Sequence, residues 1–119
     1  EAMLDMGDFA GGLLKYLRDH PVARVTIGGG FGKIVKLAQG AMDLHSGRSQ
    51  VDFDFLAALA PETAGANTAL EALERVGDSL AVKVAGLALG EVRRVLRGAP
   101  VAADVIVVAR DGRIIGHAA

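Results

Sequence analysis

The chain has 119 residues, enough for one domain with a core that needs no covalent staple. It contains no cysteine, which excludes disulfide frameworks, cysteine-ligated zinc, iron–sulfur clusters and thiol nucleophiles. Its 13 basic and 14 acidic residues leave a formal charge of −1, and aromatics make up only 4%, so neither a basic nucleic-acid footprint nor a base-stacking surface is indicated.

Asp8 is placed to cap a first helix, along which Phe9, Leu13, Leu14 and Leu17 recur at helical spacing. His20-Pro21 ends it, because proline lacks an amide donor and pushes the preceding residue out of the helical region. Residues 22–27 are short and β-branched and read as a strand. That strand runs into Gly28-Gly29-Gly30-Phe31-Gly32, read as a turn, and then into a second helix with Ile34, Val35, Leu37 and Ala38 inward. Gly40 is its expected end, with Ala41 and Met42 as a further turn in the longer reading.

Residues 43–50 are polar and read as a loop, and residues 51–60 as a short helix stopped near Pro61. A helix is expected over 63–76, with Leu70, Leu73 and Val76 on one face. Ser79 is positioned to cap a long helix to about Arg97, closed by Gly98 and Pro100, where Arg93, Arg94 and Arg97 suit its C-terminal dipole. Residues 103–109 read as an apolar strand buried on both faces. Asp111-Gly112 is a hairpin signal, with residues 113–116 as the return strand.

The expected architecture over residues 1–119 is one α/β domain, with α+β as the alternative. A small mixed sheet with a C-terminal hairpin would carry four or five helices. So few strands suggest that the sheet gains others from elsewhere in a longer polypeptide or from a partner. The start at Glu1 rather than methionine also reads as a piece of something longer. No window resembles a membrane span, since the most apolar stretch, residues 80–89, is short and contains Lys83. With no signal peptide and no cysteine, the cytoplasm is the expected location.

A glycine-rich segment between strand and helix is a physical anion site: the backbone can approach a ligand, and the helix N-terminus adds partial positive charge. The Walker and dinucleotide patterns fail at Ile27, Ile34 and Lys33, whereas Gly28, Gly30 and Gly32 give G-x-G-x-G, a spacing common to many S-adenosylmethionine-dependent methyltransferases. The opposing reading is a tight turn that needs positive φ angles. Lys33 and Lys36, three apart, are candidates for an anionic ligand, against a solvated helix face. His45 and Ser46, followed by Arg48, Asp52 and Asp54, suit acid–base or hydrogen-bonding work, against a surface turn with a helix cap. His20, His45 and His117 show no metal-pair spacing, so no protein-bound metal is expected.

The segment IGGGFGKIVKLAQGAMDLHS, residues 27–46, resembles the C-terminal part of the CbiD family, the cobalt-precorrin-5B (carbon-1) methyltransferases of anaerobic cobalamin biosynthesis. Gly29, Gly32, Lys33, Lys36, Leu37, Ala38, Gly40, His45 and Ser46 match the family's turn, its K-L-A-x-G helix and its T-H-S signature. Gly7-Asp8-Phe9 with Gly11, and the closing Asp111-Gly112-Arg113, are also similar. The family's common turn histidine is Gly30 here, and the threonine before His-Ser is Leu44.

The resemblance implies methyl transfer from S-adenosylmethionine to ring carbon 1 of cobalt-precorrin-5B, giving cobalt-precorrin-6A. It also implies an absent N-terminal portion of the same protein. Gly28, Gly29, Gly30 and Gly32 would cradle the donor or a substrate carboxylate. Lys33, Lys36 and Arg48 would bind the anionic cobalt-tetrapyrrole, and His45 and Ser46 would orient it or handle its proton. Cobalt arrives within the substrate. Two other classes remain as alternatives: a non-catalytic anion- or nucleotide-binding module, and an oligomerisation domain forming a homo-oligomer. Neither nucleic acid nor membrane is an expected partner.

Overall fold

The computed structural model of the protein describes residues 2–5, 10–40 and 51–119. In order, these form β1 (Ala2–Asp5), α1 (Ala10–Asp19), β2 (Arg24–Gly30), α2 (Phe31–Ala38), α3 (Phe53–Leu59), α4 (Ala69–Val76), α5 (Asp78–Leu96), β3 (Ala102–Val108) and β4 (Ile114–Ala118). A single 3₁₀ turn, Pro61–Thr63, sits between α3 and α4. The expected small mixed sheet with a C-terminal hairpin and five helices is therefore present. Its strand order is β1-β2-β3-β4, with the first three parallel and β4 antiparallel.

Local sequence explains most boundaries. At the end of α1 the His20 amide donates to the Tyr16 carbonyl at 2.8 Å, and Pro21 has no amide to extend the helix. Helix α2 closes at Gly40, whose φ of +93° favours glycine; the further turn through Ala41 and Met42 lies outside the described residues, as do the proposed cap Asp8 and the loop 43–50. The Asp52 side chain caps α3 by accepting from the Asp54 and Phe55 amides at 2.9 and 3.2 Å.

Two helix starts differ from expectation. The helix expected from residue 63 begins only at Ala69, because Gly65 has a φ of +83° and Thr68 supplies a better cap. Thr68 Oγ1 accepts from the Glu71 amide at 3.0 Å, while Glu71 Oε2 accepts from the Asn67 amide at 2.8 Å. Helix α5 begins at Asp78, so Ser79 lies inside its first turn rather than at its cap; left-handed Arg97 (φ 52°) and Gly98 (φ +77°) end it.

Helix α5 organises the core, packing on β3, β4, α1 and α2. Leu80, Val84 and Val92 of α5, Ile34 and Leu37 of α2, and Val25, Ile27, Val105 and Val107 of the sheet are all fully buried there. The helix also approaches the sheet very closely. A β-carbon at Gly116 would stand 2.8 Å from the Ala81 carbonyl carbon and 2.9 Å from its oxygen, so only glycine fits this point of β4.

Alternation along the strands puts a second set of residues on the opposite face. Thr26, Gly28 and Gly30 of β2 lie in register with Asp104, Ile106 and Val108 of β3, and His117 of β4 lies opposite Ile106. Thr26, Gly28, Ile106 and Val108 are only half-buried, while Gly30 and His117 are exposed. Strand β3 is thus not apolar on both faces, as its sequence suggested: Asp104 stands on the second one.

Candidate functional site

The carboxyl ends of β2 and β3 meet the start of α2 at a cleft of about 530 Å³. Gly30, Phe31 and Gly32 form one side, Leu70, Leu73 and Glu74 of α4 a second, and Val108, Ala109 and Arg110 a third. This is where open sheets with parallel strands place their ligands, because the strands end and the next helix points its N-terminus inward. Gly30 has no side chain with which to cap α2, so first-turn backbone donors stand beside the cleft. Around them the wall is mainly apolar, with one acid and one base, Glu74 and Arg110, at its rim.

The glycine run is built differently from the expected turn. Gly28, Gly29 and Gly30 are the last residues of β2, paired with Ile106, Val107 and Val108, and α2 starts at the next residue. None of Gly28, Gly29, Gly30 and Gly32 is among the positive-φ residues, so the tight-turn explanation also fails. Gly28 has a packing reason instead: a β-carbon there would lie 3.0 Å from Cγ1 and 3.2 Å from Cδ1 of Ile106. Gly30 and Gly32 line the cleft, whereas Gly28 and Gly29 belong to the hydrogen-bonded ladder.

Lys33 is exposed and Lys36 half-buried on α2, and neither is part of the cleft wall. His45, Ser46 and Arg48 lie outside the described residues. Among the described residues, no group of three or more His, Asp or Glu side chains is arranged to hold a metal ion. No described helix is long and apolar enough to cross a membrane.

The sequence reading missed a polar cluster on the half-covered sheet face. Asp104, 6% exposed, receives three donors. Thr26 Oγ1 donates to Oδ1 at 2.6 Å, while His117 Nε2 at 3.0 Å and Arg24 Nη2 at 3.2 Å both reach Oδ2. Burial raises the pKa of this carboxyl, but the hydrogen bonds from Thr26, His117 and Arg24, with the arginine charge, outweigh it and hold the group below the usual carboxylate range. An ionised carboxylate only accepts hydrogen bonds, so Nε2 of His117 carries a proton. The available signal was one acid inside an otherwise apolar strand, in a chain whose Arg24 and Thr26 also alternate.

The fold and cleft define a small α/β domain with a concavity at the carboxyl ends of parallel strands, suited to a partly anionic, partly apolar ligand. The family model for the CbiD C-terminal domain matches residues 43–119, and the chain belongs to that family. Relatives from Brucella anthropi and Paramagnetospirillum magneticum, each named cobalt-precorrin-5B C(1)-methyltransferase, are 54% identical over 98% and 99% of this chain. A relative of the same name from Brucella ovis is 53% identical over 98% of it. The chain spans only 35%, 36% and 35% of these three relatives' own lengths. No solved structure matches. The resemblance noted over residues 27–46 is thus borne out; the family model begins at its end, and the relatives extend through it.

Proposed function

We propose that this chain is the C-terminal part of an enzyme that methylates carbon 1 of cobalt-precorrin-5B in cobalamin biosynthesis, with S-adenosylmethionine as donor and cobalt-precorrin-6A as product. The observation that carries the reading is 54% identity, across nearly the whole chain, to relatives named for that reaction. Because the chain is about a third of those proteins, activity is assigned to the longer polypeptide.

The cleft suits the donor in size and chemistry. Its volume of about 530 Å³ is in the range of small-ligand sites, at roughly 300–1,000 Å³. Phe31, Leu70, Leu73 and Val108 offer apolar surface to an adenine, the α2 N-terminus offers amide donors to a carboxylate, and Glu74 offers an acceptor to hydroxyl or ammonium groups. The sulfonium supplies an electrophilic methyl group, which leaves the protein chiefly a positioning task. In this reading Gly30 and Gly32 admit the ligand to the backbone. Lys33, Lys36 and Arg48 anchor acetate and propionate groups of the macrocycle, where charge-assisted hydrogen bonds are strong. His45 and Ser46 orient the ring.

The test is incubation of the full-length protein with S-adenosylmethionine and cobalt-precorrin-5B, followed by mass analysis. The expected result is a product one methyl group heavier, together with S-adenosylhomocysteine. Binding of either ligand without transfer would overturn the reading in favour of a non-catalytic module.

A further inference from the structure

The cluster around Asp104 lies away from the cleft, on the sheet face that also carries Gly30 and Val108 of the cleft wall. The register runs from Gly30 opposite Val108 at the cleft, through Gly28 opposite Ile106, to Thr26 opposite Asp104. Those four residues of strand span about 13 Å. The Ile106 side chain lies against Gly28, so the surface between cleft and cluster is low and apolar. His117, opposite Ile106 in the register, stands at the cluster's near edge with its side chain 51% exposed.

We propose that His117 is the proton acceptor of the methyl transfer and that Asp104 positions it, an inference that rests on the function proposed above. With Nε2–H donated to the ionised Asp104, the neutral ring has its basic lone pair at Nδ1. A buried carboxylate that fixes tautomer and ring orientation is how proteins prepare an imidazole for proton transfer. Arg24, the other charged group reaching Asp104 among the described residues, is 43% exposed, so its remaining donors are open to a substrate carboxylate. A planar, carboxylate-fringed macrocycle set beside the donor-filled cleft would then lie on Gly28 and Ile106, with a fringe group at Arg24 and a ring proton at His117.

The ring carbon forms a bond to the methyl group, the sulfur–methyl bond breaks and its electron pair stays on sulfur, which becomes a neutral thioether. The macrocycle then releases one proton, which His117 Nδ1 takes and passes to solvent.

Three measurements on the full-length protein test this. Ring-nitrogen NMR of histidine-labelled protein is expected to show neutral His117 protonated at Nε2, and Asp104→Asn to redistribute the proton between the two nitrogens. His117→Ala is expected to slow methyl transfer about 100-fold or more. Added imidazoles should restore rate in order of their basicity, which a merely structural histidine would not produce. His117→Gln, which keeps a polar group beside Asp104, is expected to be as slow as His117→Ala. Wild-type rates in both variants, or no rescue in a folded His117→Ala protein, would overturn the proposal while leaving the methyltransferase reading intact. A wild-type protein that transfers no methyl group overturns both.

Discussion

The contact between α5 and β4 at Gly116 makes a sharp prediction. In Gly116→Ala the new methyl carbon would stand 2.8 and 2.9 Å from the carbonyl carbon and oxygen of Ala81. Those atoms are helix backbone, so no rotamer change relieves the clash and α5 must lift from the sheet. Overpacking of this kind costs about 1–3 kcal/mol. Removing a strand glycine returns roughly 0.5–1 kcal/mol, which leaves a net loss of about 1–2 kcal/mol. Gly90 is the internal control: it lies inside the same helix, and a β-carbon there would meet nothing within 4 Å. Gly90→Ala should gain about 1 kcal/mol from helix propensity. Urea denaturation with far-UV circular dichroism reads both, and at an m-value of about 1–2 kcal/mol/M the two midpoints separate by about 1–3 M. Equal midpoints for Gly116→Ala and the wild type would refute the close packing of α5 on β4.

Asp104 makes stability depend on acid. Its pKa is depressed in the fold, so its contribution is complete above the unfolded value of about 3.9 and is lost as pH falls through the lower folded value. Asp104→Asn should lose about 1–2 kcal/mol at neutral pH, since Arg24 and His117 remain about half exposed to water, and its stability should fall less steeply on acidification, as read by melting curves from pH 6 to pH 2. Thr68→Ala removes the acceptor for the Glu71 amide and should cost about 1 kcal/mol in the same denaturation assay. Gly30→Ser supplies a side chain to cap α2, so stability should rise by a few tenths of a kcal/mol while donor binding by the full-length protein, followed calorimetrically, weakens.

Short-range chemistry was legible and long-range pairing was not. The His20-Pro21 stop, the Gly98 end of α5 and the Asp111-Gly112 turn all act within a few residues. In that last turn the Arg113 amide donates to Asp111 Oδ1 at 3.0 Å and Gly112 takes a φ of +86°. Strand β1 was not anticipated: four residues become a strand only because β2 pairs with them. The triple glycine misled for the same reason. Nothing local makes Gly28, Gly29 and Gly30 extended; their partners on β3 lie 78 positions along the chain, and so does the Ile106 side chain that excludes a β-carbon at Gly28.

The site divides along the same line. Gly30 and Gly32 were identifiable because a helix N-terminus after a strand is a local feature with a chemical meaning. The Asp104 cluster draws one residue from each of β3 and β4 and two from β2, and its members look unrelated in sequence. An acid inside an apolar strand is costly to bury unless donors are waiting for it. The sequence therefore asked which residues answer Asp104. Parallel pairing answers with Thr26 in direct register, and the antiparallel return of β4 brings His117 in from the other side. The glycines that shape one half of this sheet face and the charges that mark the other thus follow from a single register. A substitution that slips β3 by one residue would turn Asp104 into the core and dismantle both at once.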